Sequence, residues 1–249
     1  MTWTRLVDLK QSPNRSALER VAWAVGLMTL FVGGYFSLGL STNPTRAHEL
    51  TTQLDEQIPF IASPVWVYLW AFPCSLLPMF VVRCPRLFRR SAIAYAMVIV
   101  VALVFFASYP VTSIRLRVAA TTLDLAHPSD WAVSVVYSLD PPYNLFPSLH
   151  LAITALAAFS VRRAAKLCGT AILLSAAFVG VAACMIKQHC LLDVFGGFAL
   201  AALADTLILR PYRTLDLAAS TYSWHGPATC LALTVFFYAG FYLAYLSSS

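Results

Sequence analysis

Long apolar runs, separated by short segments rich in Arg, Pro or Ser, organise this chain. A bilayer core about 30 Å thick takes roughly 20 helical residues to cross. Seven segments approach that length: residues 21–40, 64–82, 92–109, 147–161, 168–186, 191–209 and 228–246. The fourth is short. Pro73 and Pro78 lie inside the second and predict a kink, which neighbouring helices can accommodate. The first run follows a basic stretch, as a cleaved leader would. It is long, however, and "SLGLSTN" is a poor small-x-small cleavage site, so a retained helix is expected. The stretch "SDWAVSVVYSL", residues 129–139, begins on a capping serine and carries a Trp, and predicts a further helix lying at the membrane surface.

Composition strengthens this picture. The chain has 249 residues, 59% of them hydrophobic and 11% charged, against the ~25% charged residues of soluble domains. The expected fold is all-α, a polytopic helical bundle in a membrane. No repeat or long polar linker divides it. The expected organisation is a cytoplasmic segment at 1–20, a membrane-embedded bundle at 21–213, and a C-terminal segment at 214–249 with an extra helix.

Charge then sets a direction. Excess Lys and Arg stay on the cytoplasmic side. Arg5, Lys10, Arg15 and Arg20 precede the first helix, and Arg83, Arg86, Arg89 and Arg90 follow the second. Arg162, Arg163 and Lys166 follow the fourth, and Arg210 and Arg213 the sixth. An up-and-down threading puts all of these on one side, with the N-terminus cytoplasmic. The net charge of +6 is therefore mostly orientation charge, and nucleic acid is set aside as a partner. The six cysteines show no C-x-x-C spacing and read as small packing residues, with no disulfide expected.

Four basic residues fall on the opposite side: Arg46, Arg115, Arg117 and Lys187. Orientation disfavours them, and ionisable groups at membrane level are a functional signal. Arg115 and Arg117 follow the third helix. Lys187 ends the fifth, just before His189 and Asp193 in "KQHCLLD". If the sixth helix begins near Gln188, the four-residue spacing sets these two on one face. The carboxylate then fixes the imidazole tautomer and leaves Nε2 free. The bland alternative is an Asp–His pair favoured by a helix start. "NLFPSLH" opens the fourth helix, with Pro147 suited to the first helical position. Ser148 and the free N–H groups there favour an anion, and His150 lies in the first turn. Alone, that stretch reads as a capped helix with an interfacial histidine. Two histidines, one beside Asp, with Ser, Lys and two Arg at one depth form a kit for metal-free phosphoryl transfer. Asp124 and His127 could join a metal set, but their spacing is not diagnostic. Asp205 is expected to pair with Arg210. His48 and His225 read as ordinary polar positions. Gly196 and Gly197 read as aids to close helix packing.

These stretches resemble the type 2 phosphatidic acid phosphatase superfamily. Its second motif, P-S-[GL]-H, is matched by Pro147-Ser148-Leu149-His150, and its third, ending H-x-x-x-D, by His189 and Asp193. "DPPYNLFPSLH" and "KQHCLLDVFGG" most resemble the branch containing inositol phosphorylceramide synthases, as does the lead-in to the second helix, "LDEQIPFIASPVWVYLW". The resemblance covers roughly residues 54–197. It implies a six-helix phosphatase core plus the seventh helix, with no metal and no cofactor. It also implies that His189 is the nucleophile, Asp193 orients it, His150 moves the proton, and Ser148 binds phosphate oxygens. The family's first motif, K-x6-R-P, is missing. "SIRLR" is its nearest counterpart, which leaves Arg115 and Arg117 as alternatives. The third motif's usual Arg is Ala183 here, and Lys187 would supply that charge. The expected function is hydrolysis of a lipid phosphate or diphosphate, through a phosphohistidine, on the extracytoplasmic face of a bacterial inner membrane. The alternatives are transfer of a phospho-headgroup to a lipid alcohol, and a non-catalytic lipid- or anion-binding protein.

Overall fold

The structure is a computed structural model and describes residues 13–211 and 225–248. Arg5, Lys10 and Arg213 lie outside the described residues. The architecture is a helical bundle. Its helices are α1 (Pro13–Ser41), α2 (Gln53–Gln57), α3 (Val65–Leu69), α4 (Ala71–Val81), α5 (Pro85–Ser108), α6 (Pro128–Leu139), α7 (Leu149–Ala164), α8 (Lys166–Met185), α9 (Leu191–Ala204) and α10 (His225–Ser248). A π-helical turn, Asp205–Leu209, continues α9. Among the described residues, five helices are long and apolar enough to cross a membrane: Ala17–Ser41, Pro85–Ser108, Lys166–Met185, Leu191–Leu209 and Cys230–Ser248. A shorter apolar stretch spans Val65–Val81. This is a membrane protein.

The second predicted helix is interrupted at one residue, Trp70, whose backbone stays right-handed helical, as at a kink. α3 ends at Leu69 and α4 begins at Ala71. Pro73 explains the position, because a proline ring clashes with the carbonyl four residues back, here that of Leu69. Tyr68 of α3 is fully buried and lies against His150 at the start of α7.

α7 is the centre of the bundle. It packs against α4, α5, α8 and α9, and it is buried almost all round. A helix enclosed on every side need not match the full bilayer thickness, which accounts for its 16 residues. By contrast α1 packs chiefly on α5 and leaves apolar side chains such as Val25 and Leu40 exposed, as a lipid-facing helix does.

The basic helix ends gather at one end of the bundle. Arg20 donates to the carbonyls of Met79, Val82 and Arg83. Arg90 donates to Ile208 O. Asp205 pairs with Arg210 at 3.2 Å, as expected, and also with Arg163 at 2.6 Å.

The opposite end is closed by connecting segments. His48–Glu49 (β1) pairs in parallel with Val111–Thr112 (β2), a small sheet the helical pattern did not announce. His48, read as an ordinary polar position, stacks on Tyr109 with ring centroids 4.0 Å apart. The helix expected over residues 129–139 is α6. It begins at Pro128 with His127 as its N-cap, two residues ahead of the expected Ser129 cap, because proline suits the first helical position. Its buried face, Ala132, Val133 and Val136, meets α3 and α10. All six cysteines are free thiols.

Candidate active site

Two chain reversals build the site. The first ends α8. Lys187 N donates to Cys184 O at 3.1 Å and Gln188 N to Ala183 O at 2.9 Å. This is a Schellman closure, whose left-handed position usually takes glycine. Here it holds Lys187, with φ 57. The reversal delivers Gln188 and His189 to the bundle end before α9 starts.

α9 starts at Leu191, not near Gln188. His189 therefore precedes the helix, and Asp193 is its third residue. The two still meet, but through the cap rather than along a helix face. Asp193 Oδ2 accepts from Cys190 N at 3.1 Å and lies 3.4 Å from His189 Nδ1. Both side chains are 1% exposed. A carboxylate accepts, so the contact suits the tautomer with its proton on Nδ1, which leaves Nε2 facing Ser148.

The second reversal precedes α7. Pro147 sits outside the helix, two residues before its first position rather than at it, because Ser148 takes the N-cap and accepts from Leu151 N at 3.5 Å. Ser148 N donates to Asp193 O at 3.0 Å, which ties the two helix starts together. Ser148 Oγ lies 3.2 Å from His189 Nε2, and its hydroxyl can donate to that lone pair. Gly197 makes the approach possible. A Cβ there would lie 2.4 Å from Ser148 O. Gly196 is tight in the same way against the Phe146 ring.

His150 projects from the first turn of α7, with its ring centroid 5.9 Å from that of His189. Ser148, His150, His189 and Asp193 thus form one cluster. The other candidates are placed differently. Arg117 borders the cluster: it donates to Tyr137 O, Asp140 O and Gln188 Oε1, each at 3.1 Å, and its guanidinium lies over the Tyr137 ring at 4.8 Å. Its Nε is buried without a hydrogen-bond partner. Arg115 points away to an exposed pair with Glu49 at 2.9 Å. Lys187 also turns away. Its ammonium donates to Asp55 O at 2.7 Å and to Ile58 O, because the left-handed backbone aims the side chain at the end of α2. Asp55 in turn accepts from Leu191 N at 2.7 Å, so α2 is tied to the reversal after α8 and to the start of α9.

The sequence reading overlooked four residues around His150. Asp140 accepts from the Tyr35 and Tyr68 hydroxyls and from Gln188 Nε2. Tyr68 Oη lies 3.3 Å from His150 Nδ1 and 3.4 Å from its Nε2. The signal available was Asp140 itself, an acid shortly before a motif serine and at its membrane depth. Nearby, burial pushes the Tyr137 phenol up to about 12, against the opposing Arg117 charge, so it remains a neutral donor to Ile186 O at 2.6 Å.

Below His150, towards the basic end, lies an apolar cavity of about 500 Å³. Phe31 of α1, Leu76 and Met79 of α4, Tyr95 of α5 and Phe237 of α10 line it, and His150 stands at its polar end. Along α5 the lining runs from Phe88 to Ile99, a rise of ~16 Å and about half a bilayer core. Among the described residues no cluster of His, Cys, Asp and Glu is arranged to hold a metal. Asp124 and His127 form a separate, exposed pair at 3.4 Å.

Comparison with known proteins finds no matching family, no matching curated protein and no matching solved structure.

Proposed function

We propose that this protein is a membrane enzyme that moves a phosphoryl group from a lipid phosphate or diphosphate, with His189 as nucleophile. One observation carries the reading: a buried His–Asp pair turns its Nε2 to Ser148, beside a second histidine that lines an apolar cavity.

In the proposed step, His189 Nε2 attacks phosphorus and the P–O bond to the lipid breaks. His150 gives its proton to the leaving oxygen. Asp193 stabilises the charge that develops on His189. Ser148, released from Nε2, and the free N–H groups at the start of α7 bind the phosphoryl oxygens. A second oxygen nucleophile then gives its proton to His150 and attacks phosphorus, and the P–N bond breaks. That returns both histidines to their starting states. Basic helix ends favour the cytoplasm, so the site would face the extracytoplasmic side, as in a bacterial inner membrane.

Water is the acceptor in the leading reading. The cavity favours a second one, in which the acceptor is a lipid alcohol and the transferred group is a phospho-headgroup. His150 lines an apolar space of about 500 Å³, by which a lipid alcohol would reach it from the bilayer.

A panel of lipid phosphates and diphosphates, incubated with purified protein in chelator with and without ceramide or diacylglycerol, tests both. Phosphate release blocked by vanadate supports hydrolysis, and a new headgroup-bearing lipid supports transfer. Neither product from any substrate would leave only a binding role.

A further inference from the structure

The basic end of the bundle holds a second cavity, of about 710 Å³, where the ends of α7 and α9 meet the start of α8. Arg162, Arg163, Lys166 and Arg210 line it, against a single carboxylate, Asp205. Orientation charge requires only that basic residues lie on one side of the membrane. It does not require that they converge on one cavity around a buried acid.

Asp205 anchors the arrangement. Its side chain is 9% exposed, and it pairs with Arg163 at 2.6 Å and with Arg210 at 3.2 Å. The π turn makes the second pair possible. In an α-helix a residue five positions on points ~140° round from the first. Here Arg210 N donates to Asp205 O at 2.8 Å, and this wider closure brings both side chains to one face. Arg163 is held from a second direction by Phe159 O, to which it donates at 2.9 Å. Arg162 and Lys166 are exposed and make no side-chain hydrogen bond or ion pair with any described residue. Gly169 of α8 leaves no room for a Cβ against the Arg162 backbone, so the turn that carries them is closely packed. Two anchored guanidiniums thus share one carboxylate, and two further cations beside them have none.

The wall of the cavity is not uniform. Phe159 lies one turn before Arg163 and Ala202 one turn before Asp205, and both line the cavity on the side nearer the middle of the bundle. A soluble anion would use only the charged end. A phospholipid would use both, with its phosphate among the cations and the start of a chain along Phe159 and Ala202. The planar fork of Arg suits phosphate oxygens, and basic pockets between membrane helices suit anionic headgroups.

We propose that this cavity binds the phosphate of an anionic phospholipid, with Arg162 and Lys166 supplying the unneutralised charge and Arg163 and Arg210 the anchored donors. It lies roughly 18 Å along α7 from His150, and it does not depend on the phosphoryl-transfer reading.

The test is native mass spectrometry of the full chain in a neutral detergent, titrated with phosphatidylglycerol and separately with phosphatidylcholine. Phosphatidylglycerol should bind at least about fivefold more tightly, the effect of one basic side chain near the headgroup. Arg162→Gln and Lys166→Gln should each weaken phosphatidylglycerol by about fivefold and leave phosphatidylcholine unchanged. Arg83→Gln removes an exposed charge at the same end of the bundle but outside the cavity, and should stay within about twofold. All three side chains are exposed, so melting temperatures in phosphatidylcholine should match the wild type. Equal weakening by Arg83→Gln and Arg162→Gln would mean diffuse attraction and overturns the proposal, as would equal binding of the two lipids by the wild type. Glycerol 3-phosphate should fail to displace the bound lipid; displacement would make the occupant a soluble phosphate and overturns the lipid assignment. None of these outcomes depends on whether the protein turns over a lipid phosphate.

Discussion

Gly197→Ala places one methyl group where α9 crosses the start of α7. The added Cβ would lie 2.4 Å from Ser148 O, 3.0 Å from Leu151 Cβ and 3.3 Å from Ala152 N, whereas ordinary contact begins at 3.4 Å. Two of these three neighbours are backbone atoms, so a rotamer change cannot relieve the clash. The helix starts must separate by roughly 1 Å, and overpacking of this kind costs about 1–3 kcal/mol. The functional effect should be larger. Ser148 N–H to Asp193 O is the bond that registers the two helix starts, and the Ser148 hydroxyl lies 3.2 Å from His189. Displacing reacting groups by about 1 Å costs on the order of 100-fold in rate. The assay is lipid phosphate turnover in micelles, with thermal unfolding of the same samples. Gly240→Ala is the control, since its Cβ would meet nothing within 4 Å, and a helical Gly→Ala change should be neutral or stabilising by up to ~1 kcal/mol. Wild-type turnover in Gly197→Ala would refute the claim that contact between α7 and α9 sets the site.

Arg115→Ala should leave turnover within about twofold, because an exposed ion pair is worth at most ~1 kcal/mol. Arg117→Ala strips the donor from two carbonyls and Gln188, and should cost at least about tenfold in kcat/KM along with thermal stability. Lys187→Met should lower the melting temperature, since each charged hydrogen bond is worth ~1.5–3 kcal/mol. Lys187→Gly should lose less, because glycine removes the left-handed backbone cost of ~1 kcal/mol; equal melting temperatures for the two would contradict this account of the turn. Ile153→Trp, which fills the cavity beside His150, should raise KM for long-chain lipid phosphates and spare a short-chain one.

The helices were legible because an apolar run of this length satisfies its backbone in a bilayer only by coiling into a helix. The interruption at Trp70 followed from Pro73, where the pattern suggested a bend. The cluster of Ser148, His150, His189 and Asp193 was legible because each pair is local in sequence and its helix starts share a membrane depth. Lys187 was misread for a local reason. Sequence spacing puts it beside His189, but a positive φ turns its side chain to Asp55 and Ile58. Spacing also left Arg115 and Arg117 equivalent, and only the contacts of the 111–118 segment with Gln188 and Asp140 separate them. The Asp140 network was out of reach. Tyr35, Tyr68 and Gln188 lie 105, 72 and 48 positions from it, and no periodicity encodes contacts that depend on how three separate segments meet.

The central claim is that His189 carries the phosphoryl group. The most direct measurement is mass spectrometry of protein quenched in base during turnover of a lipid phosphate, with the peptide containing His189 read for a phosphoryl adduct. The account predicts an acid-labile, base-stable adduct on His189. It should be absent in His189→Ala, which should also lose turnover by at least about 1,000-fold. Full turnover in His189→Ala, or an adduct on another residue in its place, would contradict it.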